Sequence, residues 1–139
     1  MFNDGIQRTE RHLWLLLRLT LAGLLAAHGW MRFLSGGVLP FGDWLSSQGL
    51  PAGFYLAAAV TAYEILATLF YVAGKWLWQL SLGFVLIYSV GLVLVHAPFG
   101  WFVVGAGRNG VEYSVLLIVT LACVGYRDYK LAKQRQHSF

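Results

Sequence analysis

The chain has 139 residues, of which 58% are hydrophobic and 12% are charged, whereas ordinary soluble domains have about 45–50% apolar and 25% charged residues. A chain this small cannot bury so much apolar surface in its own core, so the composition excludes a soluble globular domain and requires lipid to cover the excess. The formal charge of +4 comes from basic residues near the chain ends and beside apolar segments, which indicates a membrane surface and argues against a nucleic-acid interface.

Four apolar segments follow one another along the chain, and each approaches the roughly 20 residues that a helix needs to cross a hydrocarbon core about 30 Å thick. The last segment is short, but Arg127 and Lys130 can extend it by reaching toward the headgroups. The sequence therefore predicts an all-α fold, a four-transmembrane-helix bundle. Its membrane domain covers residues 13–126, with spans at 13–34, 52–74, 76–97 and 111–126, between an N-terminal segment at 1–12 and a basic tail at 127–139.

The basic residues predict an orientation for this bundle. With four spans, eight of the ten Lys and Arg residues lie on the side of the termini, and only Arg32 and Arg108 lie on the other. Because Lys and Arg concentrate in cytoplasmic segments, both termini should be cytoplasmic. The long outer connections, 35–51 and 98–110, contain turn residues together with Trp, Phe and Val, so we expect them to rest on the bundle near the interface.

Three acidic or basic residues lie in the outer half of the first span and the middle of the second. His28 and Arg32 are four residues apart and share one helix face. A Glu64 carboxylate in contact with lipid would cost about 2.5 kcal/mol or more, so it must face protein or water. Helical side chains lean toward the N-terminus of their helix, and in antiparallel spans these groups therefore lean toward each other. The pattern predicts an ion pair or hydrogen bond among them.

His96 closes the third span and Glu112 opens the fourth, so both fall on the same outer side of the predicted bundle. Tyr63 and Tyr113, each beside one of the glutamates, are candidate hydroxyl partners. Five ionisable groups from four spans are thus expected to form a polar pocket in the outer leaflet. The ligand-binding candidates are His28, Arg32, Glu64, His96 and Glu112.

Structural roles for the same residues remain open alternatives. Glu112 follows Asn109 at the spacing of a capping box, and its charge suits a helix N-terminus. His96 fits a simple interfacial position. Glu64 with Arg32 or His28 fits a bridge that ties two spans together.

Metal and cofactor motifs are weak in this sequence. No spacing such as H-E-x-x-H marks a metal site, so none is predicted. Haem held by His28 and His96 is disfavoured because nothing in their flanks marks an axial pair. The segment 105–110 matches G-x-G-x-x-G, but that fingerprint requires a βαβ unit. Cys123 is the single cysteine, which excludes an internal disulfide.

Four stretches together resemble the DoxX family: "RLTLAGLLAAHGWMRF" (18–33), "AYEILATLFYVAGKW" (62–76), "LVHAPFGWF" (94–102) and "GRNGVEYSVLLI" (107–118). They lie in the family's order and cover residues 18–125. The resemblance implies a multi-pass protein of the bacterial inner membrane, grouped with the small membrane subunit of thiosulfate:quinone oxidoreductase. It also implies family positions at His28, Arg32, Glu64, His96 and Glu112.

Two positions depart from the family pattern. Arg32 stands where lysine is more usual, which keeps the charge but changes the hydrogen-bond geometry. "VGYRDY" (124–129) replaces the usual glycine-rich ending, so equivalence at the C-terminal end is unsupported.

The function expected from the resemblance is that of a subunit in a quinone-linked redox system, with quinone or a small substrate in the outer pocket and no catalytic residue assigned. The alternative is a non-catalytic accessory or assembly subunit of a larger membrane complex. A small proton-coupled transporter that uses Glu64 ranks last because no inverted repeat supports it. Expected partners are the lipid bilayer and other membrane redox subunits or further copies of the chain.

Overall fold

The computed structural model describes residues 2–105 and 107–137, which leaves Met1, Ala106, Ser138 and Phe139 outside the described residues. All regular secondary structure in the described part is helical and none of it is strand, which confirms the all-α prediction. In chain order the helices are α1 (Phe2–Leu34), α2 (Val38–Ser47), α3 (Gly53–Ala73), α4 (Leu77–Gly91) and α5 (Glu112–Gln136). A π-helical turn (Leu92–His96) and a 3₁₀ turn (Ala97–Phe99) follow α4 directly.

The four long helices pack as two pairs, α1 with α3 and α4 with α5. The shared core contains Leu25, Tyr71, Phe84 and Leu121, which are all fully buried. The α4–α5 pair is antiparallel, because Trp78 at the start of α4 donates to Asp128 in the second half of α5, whereas Tyr88 near the end of α4 lines a cavity with Ser114 at the start of α5. The bundle thus brings all four helices alongside one another around a small apolar core.

Three helical segments are long and apolar enough to cross a membrane: Gly5–Leu34, Gly53–Ala73 and Leu77–Phe99. Large apolar side chains also face outward on all four long helices, for example Leu16, Leu66, Leu82 and Leu116, each more than half exposed. These surfaces belong in contact with lipid. Helix α5 is not among the three segments, so the fourth span and the position of the termini remain predictions.

Both chain ends extend the membrane helices. Helix α1 begins at Phe2, so most of the predicted N-terminal segment is continuous with the first span. Helix α5 runs to Gln136 and includes most of the predicted basic tail. No proline interrupts either stretch, and residues 127–136 are rich in Lys, Arg and Gln, which favour helix.

The connection at 35–51 contains helix α2, which the turn residues of this segment did not predict. The helix lies on α3, as expected of a segment resting on the bundle. The approach is closest at Gly42, where an added Cβ would come 2.6 Å from the Cα of Phe54. Only glycine fits at such a contact, so Gly42 sets how closely α2 covers α3.

The end of α4 departs from regular helix. Its last turn passes into the π-helical turn, and Pro98 lies in the 3₁₀ turn that follows. Proline supplies no backbone N–H, which prevents a regular helix from continuing through this point. Single π-helical turns are frequent at functional sites, and this one carries His96.

Candidate functional site

An ion pair joins α1 to α3 inside the bundle. Nη1 of Arg32 donates to Oε2 of Glu64 at 2.7 Å and to Oγ1 of Thr61 at 3.1 Å. Glu64 is 2% exposed and Arg32 is 19% exposed. The predicted contact between these two charges is therefore present, and it holds a buried carboxylate that would be costly in lipid.

Helix α4 completes the hydrogen bonding of this carboxylate. The hydroxyl of Tyr88 donates to Oε1 of Glu64 at 3.0 Å, so both carboxylate oxygens have protein partners. The Tyr88 ring also meets the His28 ring edge-on, with centroids 5.9 Å apart. The network therefore spans α1, α3 and α4.

Gly29 allows α1 to approach α3 beside the ion pair. An added Cβ at Gly29 would lie 2.8 Å from Cβ of Glu64 and 3.2 Å from the backbone nitrogen of Ile65. Such distances are shorter than van der Waals contact, so a larger residue would push the helices apart. The glycine thus brings Arg32 within reach of Glu64.

A cavity of about 400 Å³ lies next to the ion pair. One part of its wall carries His28, Arg32, Glu64 and His96, and most of the remainder is aliphatic or aromatic. Three of its lining residues, Leu56, Leu86 and Val90, are 39%, 66% and 43% exposed. The cavity therefore reaches the outer surface of the bundle, on a side where the surrounding medium would be lipid.

Helix α2 contributes a further wall of the cavity through Phe41, Trp44 and Leu45. The guanidinium of Arg32 lies 4.5 Å from the centroid of the Phe41 ring, a cation–π contact. Phe41 in turn stacks on Trp44 with centroids 6.1 Å apart. The position of α2 is thus coupled to the charged group in the cavity.

The two histidines of the cavity are oriented by backbone carbonyls. Nδ1 of His28 donates to the Leu24 carbonyl at 2.8 Å, and Nδ1 of His96 donates to the Asn109 carbonyl at 2.9 Å. A carbonyl oxygen only accepts, so Nδ1 carries the proton in both rings. In the neutral imidazole, Nε2 is then an acceptor.

Glu112 lies apart from the other four candidates and does not line the cavity. Its Oε1 accepts a hydrogen bond from the Val103 N–H at 2.9 Å, which holds the connection after α4 against the start of α5. The residue before α5 is Val111, which makes no side-chain cap, so the predicted Asn109 cap is wrong. The carboxylate instead ties the loop to the helix.

Among the described residues, neither of the tyrosines considered from the sequence hydrogen-bonds to a glutamate. Tyr63 donates to the Leu80 carbonyl at 2.9 Å, which links α3 to α4. Tyr113 is 38% exposed. Tyr88 is instead the tyrosine that hydrogen-bonds to Glu64. In the sequence, only its hydroxyl within a highly apolar span indicates such a role. No group of three His, Cys, Asp or Glu suited to a metal ion occurs in residues 2–105 and 107–137.

Comparison with known proteins places the chain in a family. The DoxX family model matches residues 13–97, which is more than half of the chain. The match includes His28, Arg32, Glu64 and His96, and it ends before Glu112. Searches of the curated proteins and of the solved structures gave no significant match. The match covers the first two stretches quoted for the resemblance and the beginning of the third, and the chain belongs to the DoxX family.

Proposed function

We propose that this protein is a bacterial inner-membrane subunit of a quinone-linked redox system and that its cavity binds a quinone or a similarly lipophilic molecule. The observation that carries the proposal is one cavity with apolar walls, an opening on the bundle surface at Leu86 and Val90, and a cationic group, Arg32, inside it. A membrane-soluble molecule can enter such a cavity without crossing water. Its volume, about 400 Å³, lies in the range of small-molecule sites.

The hydrogen-bonding groups of the cavity suit both redox forms of a quinone. Arg32 uses only Nη1 for its hydrogen bonds, so Nε and Nη2 have no hydrogen-bond partner among the described residues. These N–H groups can donate to a quinone carbonyl oxygen. The Nε2 atoms of His28 and His96 can accept from the hydroxyls of the reduced quinol. The site thus offers donors for one form and acceptors for the other.

Blocking the cavity is the direct test. Gly91 lines it, and an added Cβ there would meet no atom within 4 Å. Gly91→Leu should therefore fill space without displacing a helix. Gly23→Leu is the matched control, because Gly23 is also helical with open space around it and does not line the cavity.

The measurement is the quinone content of protein purified in mild detergent, determined by solvent extraction and mass spectrometry. Wild type and Gly23→Leu should retain quinone, and Gly91→Leu should lose most of it. Equal retention in all three proteins would contradict binding in this cavity. Glu64→Gln should lower retention, whereas Glu112→Gln, the same change outside the cavity, should leave it unchanged.

A second candidate function is that of an accessory or assembly subunit in which the polar cluster only holds the bundle together. It is favoured by the hydrogen bonding of Glu64, whose two oxygens are already satisfied by Arg32 and Tyr88. The double variant Arg32→Met with Glu64→Leu separates the two, because replacing both members of a buried pair is often neutral for stability. If the double variant folds and still captures its membrane partners but retains no quinone, the polar cluster serves binding. If wild type also lacks quinone while the partners are captured, the accessory function is supported.

A further inference from the structure

A second cavity, of about 300 Å³, lies at the other end of the bundle, where α1, α4 and α5 meet. Arg18 lines this second cavity and Arg32 lines the first, and about 21 Å of helix α1 separates the two residues. The second cavity is lined by Arg11, Arg18, Arg127, Trp14 and Asp128, with Leu15, Leu77 and Val124 as its apolar part. Neither the family match nor the proposed quinone site accounts for it.

Arg18 is held in this cavity with unused hydrogen-bonding capacity. Its Nη2 donates to the Val72 carbonyl at 3.2 Å, and its Nε is buried with no hydrogen-bond partner. Gly74 makes room for the side chain, because an added Cβ there would lie 2.5 Å from Nη1 of Arg18. Nη1 has no hydrogen-bond partner among the described residues and, unlike Nε, is not fully enclosed, so it can donate to an acceptor bound in the cavity.

The charges around Arg18 are unbalanced. The guanidinium of Arg127 lies 4.8 Å from the centroid of the Trp14 ring rather than on a carboxylate. Within the described residues, Arg11, Arg18 and Arg127 form no ion pair. The single acidic residue of the lining, Asp128, accepts from the Trp78 N–H at 3.3 Å. Three cations thus face one carboxylate that already has a partner.

We infer that this cavity binds an anionic phosphate group. Guanidinium groups bind phosphate oxygens through paired, charge-assisted hydrogen bonds, and several arginines around one space favour phosphate over a neutral ligand. The phosphate belongs either to an anionic phospholipid or to a soluble phosphate. The apolar lining supports the lipid source, because Leu15 is 40% exposed and lies where an acyl chain would leave the cavity. Basic pockets between membrane helices bind such headgroups.

The test uses the full chain in mild detergent and three probes. Native mass spectrometry measures binding of phosphatidylglycerol and of phosphatidylcholine, and calorimetry measures binding of inorganic phosphate. We expect phosphatidylglycerol to bind about ten-fold more tightly than phosphatidylcholine, since only the former carries net negative charge. Preferential binding of inorganic phosphate, with no preference between the lipids, would support a soluble phosphate at the same site. Equal binding of both lipids together with no phosphate binding would overturn the inference.

Substitutions in and outside the cavity test where the phosphate group binds. Arg11→Gln with Arg127→Gln should weaken the favoured probe about ten-fold, and Arg108→Gln, which removes one charge from an exposed position outside the cavity, should not. Arg18→Lys keeps the charge but removes the guanidinium and its Nη1 donor, so a loss of several-fold is expected there as well. An equal loss in Arg108→Gln would indicate a general charge effect and would overturn the site. Quinone retention should be unchanged in all these variants, which keeps this test separate from that of the proposed function.

Discussion

A single carboxylate, Glu64, connects three helices of the bundle. It is buried on α3, paired with Arg32 of α1 and hydrogen-bonded by Tyr88 of α4. In a low-dielectric interior an ion pair roughly offsets its own desolvation, but a charge left alone is strongly unfavourable. Removing one partner should therefore cost far more than the pair itself contributes.

Glu64→Gln should lower the free energy of unfolding by about 3 kcal/mol, because it leaves the largely buried Arg32 guanidinium without a counter-charge. Tyr88→Phe removes one hydrogen bond and keeps the ion pair, so it should cost about 1 kcal/mol or less. Unfolding in a detergent series, followed by circular dichroism, measures both. Equal losses in the two variants would show that the ion pair has no special weight in stability.

Gly29 offers a second prediction at the level of one residue. Gly29→Ala should destabilise the protein by about 1–3 kcal/mol, because its Cβ would overlap Glu64 and the backbone of α3. Gly23→Ala on the same helix has open space and should be neutral or stabilising by up to about 1 kcal/mol, as expected for alanine in a helix. The same unfolding measurement compares them. If both substitutions act alike, the contact between α1 and α3 at Gly29 is not tight.

The sequence predicts a contact best where an unpaired group would be costly to bury. A charge inside an apolar span must find a partner, so the pairing of Arg32 with Glu64 could be predicted from position and side-chain direction alone. Tyr88 could not be predicted, because a tyrosine costs little at many positions and its face depends on the rotation of α4. The role of Gly29 could not be predicted either, since it depends on the distance to another helix.

Helix α2 is a whole element that the sequence did not predict. Gly37, Pro40 and Gly42 are typical of turns, and they led to the expectation of a loop in this connection. Pro40 lies in the first turn of α2, where its missing N–H is not needed. Gly42 is required for the contact with α3. Both residues act through packing and position, which local composition does not reveal.

Gly42→Val should separate α2 from α3, because its side chain would overlap the backbone at Phe54. The cation–π contact of Phe41 with Arg32 would be lost as well. We expect hydrogen exchange across Val38–Ser47 to accelerate at least ten-fold, while exchange in the centre of α3 stays unchanged. Ser47→Val, at an exposed position on the same helix, is the control. Unchanged exchange in Gly42→Val would show that α2 is held by contacts other than this one.

The number of membrane crossings is a property of the whole molecule and rests on α5. This helix is less apolar than the three spans because Glu112 begins it and Arg127 and Asp128 interrupt its second half. Its depth nevertheless matches that of α4. The Trp78 N–H at the start of α4 bonds to Asp128 of α5, and Ser114 at the start of α5 lines the cavity beside the ion pair together with Tyr88 near the end of α4. A helix that lies along a spanning helix over this length is expected to span as well.

Labelling of single cysteines tests both this fourth span and the orientation. In a Cys123→Ser background, Ser47→Cys and Arg108→Cys should react with a membrane-impermeant maleimide in intact spheroplasts. Lys75→Cys and His137→Cys should react only in inverted vesicles. All four positions are exposed, so a failure to react reports the side of the membrane rather than burial. The expected pattern follows from Lys75 in the turn between α3 and α4 and from the concentration of Lys and Arg around the termini. Labelling of positions 108 and 137 from the same side would mean that α5 does not cross and that the bundle has three spans. The reverse pattern, with positions 75 and 137 reactive in spheroplasts, would keep four spans but place the quinone cavity toward the cytoplasm and the arginine cavity toward the outside.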